Sequence, residues 1–133
     1  MNANELRIGN LVGYRKRTIS EMQIGKITGI DKTYVEIDED ILINRDKGIN
    51  GIPITEEWLM KLGFKTSPAA NSTYLSIPES KSEIHFENFR NGLVCVLYSS
   101  VGSFIPKDIN YIHEIQNLCH ALTGVELTIK EEQ

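Results

Sequence analysis

Three histidines and two cysteines are the residue types here that most readily ligate a metal or attack a carbonyl carbon. His113 and His120 stand seven apart on one predicted helix, about 10 Å along its axis. Zinc ligands each lie about 2 Å from the metal, so this pair does not share an ion. His85 falls in a separate predicted strand. A thiol nucleophile needs a base within hydrogen-bond reach. Cys119 lies toward the apolar side of the helix, whereas His113 lies across it and His120 is about 100° round the axis. Cys95 sits in the most apolar strand pattern, and both cysteines read as reduced packing residues. No catalytic set, metal site or cofactor is assigned. Asp38-Glu39-Asp40 lacks the alternating ligands and glycine of a calcium loop and reads as a solvated turn. There is no glycine-rich phosphate cradle, no G-x-S-x-G elbow and no paired zinc cysteines.

What remains is chemistry of binding. Arg15-Lys16-Arg17 forms a basic cluster at a predicted hairpin tip, where it can touch phosphate or an acidic partner. His113, Asn117 and His120 recur at i, i+4 and i+7 on the polar face of the predicted helix, and Tyr111 adds a ring for stacking. This face is read first as solvent-exposed, next as a partner or subunit interface and last as a ligand site. Histidine there would make any contact sensitive to pH.

These residues need elements to hold them. The longest helical pattern is Asp108 to Gly124, with Tyr111, Ile115, Leu118 and Leu122 on one face, flanked by Ile112 and Cys119. Asp108 or Asn110 can cap its start, and Gly124 suits a left-handed stop. Alternation then predicts a closing strand over Val125–Ile129. One helix of about four turns cannot bury its own stripe, so a sheet must cover it. Upstream, Leu11–Tyr14, Met22–Ile30, Tyr34–Ile37 and Ile41–Ile43 read as short strands of a twisted sheet or partly open barrel. Their pattern resembles small barrels of the KOW or Tudor kind, and Gly25 and Gly29 predict bulges or bends. Thr55 caps a short helix, with Trp58, Leu59 and Leu62 on its buried edge and Gly63 at its end. A loop over Thr66–Ser72 and strands at Tyr74–Ile77, Glu83–Phe86 and Leu93–Tyr98 follow, with a connection over Ser99–Lys107. The last strand, LVCVLY, is expected to be central, and Asn91-Gly92 before it signals a hairpin.

The expected fold class is α+β: short antiparallel strands in a small barrel-like sheet, one short helix, then a hairpin-rich antiparallel sheet packed on one long C-terminal helix. Residues 1–51 form a small β-rich module and 52–133 the α+β part of one unit. With 41% hydrophobic and 24% charged residues, the composition is that of a globular protein able to fold without disulfides or metal. A net charge of −4 argues against a general nucleic-acid binder. No apolar run approaches the roughly 18 residues of a membrane span, and MNANELRIGN is no signal peptide, so a cytoplasmic location is expected.

Three stretches, NELRIGNLV, PITEEWLMKLGF and YIHEIQNLCHALTGVELTIK, together resemble a group of small proteins of Bacteroides-type bacteria and of their phages and prophages. The resemblance implies a cytoplasmic protein of a mobile-element gene set and carries over no catalytic residues. The expected function is binding to a host or phage protein without catalysis, with homo-oligomerisation open. The alternatives are a nucleotide-like ligand held by the basic cluster with Tyr111, His113 or His120, and a nucleic-acid-binding small barrel. A hydrolase using Cys119 and a histidine ranks last.

Overall fold

The first sheet starts from a turn held by Asn10, whose Oδ1 accepts from Arg7 N–H at 2.6 Å and whose carbonyl accepts from Ile27 N–H at 2.9 Å. The computed structural model describes residues 5–15, 21–67, 72–77, 81–89, 92–106 and 109–130. Strands Leu11–Tyr14 (β1), Gln23–Ile30 (β2), Tyr34–Ile37 (β3), Ile41–Asn44 (β4) and Ile49–Asn50 (β5) pair antiparallel in the order β4-β3-β2-β1-β5. The sheet curls into a half-barrel. Period-two alternation turns Val12, Tyr14, Ile27, Val35 and Ile37 inward, where they bury one another with Leu6. The register of β2 on β3 shifts between Ile27 and Gly29, a bulge where glycine was expected to mark one. A Cβ on Gly25 would collide with the Ile37 side chain, so only glycine lets β2 pass that close to the core.

The short helix Glu56–Lys61 (α1) begins as its sequence prescribes: Trp58 N–H donates to Thr55 Oγ1 at 3.2 Å, and Glu56 and Glu57 lie at the positive end of the helix. Leu59 and Leu62 are fully buried, and Lys61 Nζ sits 4.8 Å from the centre of the Trp58 ring. The second sheet follows, with Lys65–Ser67 (β6), Ser72–Ile77 (β7), Ser82–Phe89 (β8), Gly92–Ser99 (β9) and Gly102–Phe104 (β10) antiparallel in the order β10-β9-β8-β7-β6. Ile77, Ile84, Phe86, Cys95 and Leu97 are buried on one of its faces, and Phe64 meets Phe86 edge-on at 5.9 Å. The long helix is Ile112–Thr123 (α2). Glu114 reaches back so that Tyr111 N–H donates to its Oε1 at 2.9 Å, and the helix stops at Gly124, whose φ of 74° is the left-handed conformation glycine adopts without strain. The architecture is therefore α+β, mostly strand.

The chain divides into two units. The first is Met1–Pro53 with Tyr111–Asn117, and the second is Ile54–Asn110 with Leu118–Gln133. Thus α2 contributes its first turns to one unit and its last turns to the other.

Several elements differ from the sequence reading. No strand forms over Val125–Ile129: Leu127 alone of the alternating apolar residues is buried, and the segment is joined to α1 where Lys130 N–H donates to Lys61 O at 2.7 Å. The expected connection over 99–107 contains β10, and the expected loop over Thr66–Ser72 is entered by β6 and left by β7 at Ser72. The LVCVLY segment lies one strand from the edge and β8 is central, because β10 and β7–β6 extend the sheet unequally. On α2 the buried residues are Ile112, His113, Ile115, Gln116 and Cys119, whereas Leu122 is 40% exposed. The expected stripe is rotated because polar residues of its first half are consumed inside the first unit. Asp108 and Asn91 lie outside the described residues.

That consumption is specific. Leu11 N–H donates to Gln116 Oε1 at 2.8 Å and Gln116 Nε2 donates to Gly9 O at 3.2 Å. Asn117 Oδ1 accepts from Arg7 Nε at 2.8 Å and Asn10 Nδ2 at 2.9 Å, while its Nδ2 donates to Glu5 O at 2.7 Å. Replacing Gln116 by leucine would leave the buried Leu11 N–H and the half-buried Gly9 C=O without this partner, at about 1–3 kcal/mol each. Gln116→Leu is expected to lower unfolding free energy by roughly 2–5 kcal/mol in urea denaturation, although leucine is the more apolar residue.

Candidate functional site

Strand β8 reads SEIHFENF, and its alternation sends Ile84 and Phe86 to the core while Glu83, His85 and Glu87 emerge on the opposite face. Register places Tyr74 of β7 and Val96 of β9 on either side of His85, and Ser76 and Tyr98 on either side of Glu83. Three rings therefore lie across three strands. Tyr74 stacks on His85 with centroids 5.4 Å apart, and Tyr98 meets His85 edge-on at 4.8 Å. The Tyr98 side chain leans away from its register partner Glu83, so its hydroxyl donates to Glu87 Oε2 at 2.8 Å. That bond and the Glu87 charge push the Tyr98 phenol above its usual range.

His85 is fixed from both sides. Its Nδ1 lies 3.1 Å from Ser72 Oγ and its Nε2 lies 3.1 Å from Glu83 Oε1, while Ser76 Oγ donates to Glu83 Oε2 at 3.1 Å. The His85 and Ser76 bonds hold the Glu83 carboxyl below its ordinary range. An ionised carboxylate only accepts, so Nε2 carries a proton and Nδ1 of neutral His85 accepts from the Ser72 hydroxyl. Serine, imidazole and carboxylate thus stand within hydrogen-bond reach, the arrangement of a nucleophile, its base and an orienting acid. Two features oppose catalysis. Ser72 is only 5% exposed, leaving its oxygen little room for a substrate carbon. It is also paired with Ser67 on one side and Glu87 on the other, so the neighbouring backbone donors serve sheet ladders instead of an oxyanion. The network orients a rigid aromatic platform.

An open cleft of about 450 Å³ adjoins this platform, lined by polar groups including Lys81, Glu83, Tyr98, Ser99 and Ser100. Lys81 has a φ of 54° in the turn before β8. A smaller apolar cavity of about 170 Å³ lies between Leu75 and Ile77 of β7 and Cys119 and Thr123 of α2. Burial pushes the Cys95 and Cys119 thiols each up to about 12, so neither is a nucleophile at neutral pH.

The residues expected from sequence to bind are not assembled in one place. Arg15 is exposed just past β1, and Lys16 and Arg17 lie outside the described residues. Tyr111, His113 and Asn117 belong to the first unit and His120, exposed, to the second. The expected wet face is corrected. Asn117 is engaged with Glu5, Arg7 and Asn10, and His113 is fully buried, stacked on Tyr111 at 5.8 Å. Among the described residues no three His, Cys, Asp or Glu side chains converge to hold a metal, and no helix is long and apolar enough to cross a membrane. The platform itself was missed, although E-x-H-x-E in a strand pattern puts three ionisable groups on one face. Compared with models of protein families, with curated proteins and with solved structures, the chain matches none.

Neither ring nitrogen of His113 finds a hydrogen-bond partner among the described residues, and Nε2 stands 3.8 Å from Glu5 Oε2. Burial holds its imidazole below the ordinary range, against the pull of Glu114 and Glu5. The unfolded chain therefore takes up a proton near pH 6.5 that the folded chain refuses. Stability is expected to fall as pH drops below about 6.5, until folded His113 also protonates. Urea midpoints at pH 7.5 and about 5.5 should differ for the native chain and converge for His113→Phe.

Proposed function

We propose that this chain is a non-catalytic interaction protein, an accessory factor of the phage or prophage kind, that binds a host or phage protein through the open face of its second sheet. The observation that carries this reading is the Tyr74–His85–Tyr98 platform, in which hydrogen bonds hold His85 and Tyr98, Tyr74 stacks on His85, and Glu83 and Glu87 form the border. Tyrosines held in place offer large contact area at little cost in conformational entropy, and such residues dominate the energetic centres of interfaces. The resemblance of the N-terminal, central and C-terminal blocks supports the biological setting. The cleft beside Tyr98 favours a second reading, a small polar molecule bound without turnover.

The test uses the full chain carrying an affinity tag. A partner recovered from host or infected-cell lysate should be lost with Tyr74→Ser/Tyr98→Ser, by tenfold or more in affinity, about 1.4 kcal/mol. Native mass spectrometry separates the readings, since a small ligand adds its own mass to the folded chain. A serine-directed fluorophosphonate is expected to leave Ser72 unmodified. An adduct on Ser72 that disappears in His85→Ala would replace the binding reading with a hydrolase.

A further inference from the structure

The first sheet ends on an unprotected edge. Natural edge strands are guarded by lysine, proline, bulges or brevity. Of the edge strands described, β6 carries Lys65, β10 opens on Gly102, and β5 is only Ile49–Asn50. By contrast β4 is Ile-Leu-Ile-Asn, with no charge and no proline. Arg45 N–H donates to Thr33 O at 2.8 Å, so by alternation Ile41 and Ile43 direct their backbone groups to β3 while Leu42 directs its N–H and C=O away from the sheet. The Leu42 side chain is 65% exposed on the outer face, next to Tyr34 at 47%. The two ends of the strand differ in charge: Asp38-Glu39-Asp40 forms the turn before it, and Arg45 and Lys47 follow it with Asp46 between them.

We propose that β4 pairs antiparallel with β4 of a second copy of this chain, about a two-fold axis at Leu42. An isologous contact must be complementary to itself, and this edge is. Antiparallel pairing centred on Leu42 lets the two Leu42 residues exchange both backbone hydrogen bonds and brings their exposed side chains together. Ile41 then lies beside Ile43 of the second copy, continuing the half-buried apolar row on the concave face. The same register places Glu39 across from Arg45 and Asp38 across from Asp46 of the second copy, so each triply acidic turn meets a segment, Arg45-Asp46-Lys47, whose net charge is positive by one. Parallel pairing would set acidic turn against acidic turn, and a charged partner strand would lack the apolar match. This contact goes beyond the platform reading, because it uses a different unit and a different sheet.

Sedimentation velocity of the full chain across a concentration series tests it. A monomer–dimer equilibrium is expected, with slower amide exchange at Leu42 as concentration rises. Leu42→Lys should weaken the dimer by about tenfold or more while leaving the circular dichroism and the thermal midpoint of the dilute chain unchanged. Glu39→Arg should weaken it as well, and Glu39→Arg with Arg45→Glu should restore it. A chain that stays monomeric throughout, or a dimer that Leu42→Lys leaves intact, overturns the proposal. A dimer that Leu42→Lys weakens but the double exchange fails to rescue overturns the antiparallel register. Partner capture by the platform is measured separately on Leu42→Lys, so either reading can fail alone.

Discussion

Two adjacent side-chain amides, Gln116 and Asn117, tie the segment 5–11 to the first turns of α2 within the first unit. Between them they satisfy Leu11 N–H, Gly9 O, Glu5 O and the side chains of Arg7 and Asn10. In the segment 5–10, which precedes β1, Gly9 N–H and Asn10 O are met by Ile27 and Asn10 N–H by Arg7 O, whereas Glu5 O and Gly9 O are left to side chains; Leu6 and Asn10 are buried. Buried donors and acceptors must find partners, and here the partners come from more than one hundred residues away. The N-terminal half of α2 is thus held by directional bonds as well as by Ile112 and Ile115. Its rotation follows from that requirement, and the burial of His113 follows from the rotation.

The second sheet obeys a simpler rule. Alternation gives one apolar face that closes the core and one face of hydroxyls, carboxylates and rings. What separates that outer face from ordinary surface is mutual restraint, since Ser72, Glu83, His85, Tyr98 and Glu87 each fix a neighbour. A network of this kind resembles catalytic machinery in its distances, yet catalysis also needs access and pre-aligned donors for developing charge. A sheet interior supplies neither, because its backbone groups are already committed to ladders.

Exposed apolar residues on the first sheet have a related origin. A half-barrel curls far enough to enclose Val12, Ile27, Val35 and Ile37 but does not close, so its edge strand β4 keeps outward backbone groups. Closure would have removed the edge, and a charge within Ile41–Asn44 would have guarded it. Neither is present.

Local signals in the sequence were sufficient for most elements. Thr55, Gly63 and Gly124 bracket helices as their chemistry requires, β1 and β3 begin and end where alternation places them, and the bulge in β2 falls at Gly29. These are decisions made within a few residues, by backbone conformation and by period. Val125–Ile129 alternates equally well and forms no strand, because pairing depends on a neighbour that the fold does not provide. Likewise the polar residues of α2 carried no mark of whether water or Leu11 N–H would satisfy them. The alternation of Glu83, His85 and Glu87 was legible in advance, but their union with Ser72, Tyr74 and Tyr98 was not. Sequence determined most of the elements and the alternating faces of the strands; only the tertiary structure decided which face of α2 is buried and which faces meet, because register and hydrogen-bond partnership are set between segments far apart in the chain.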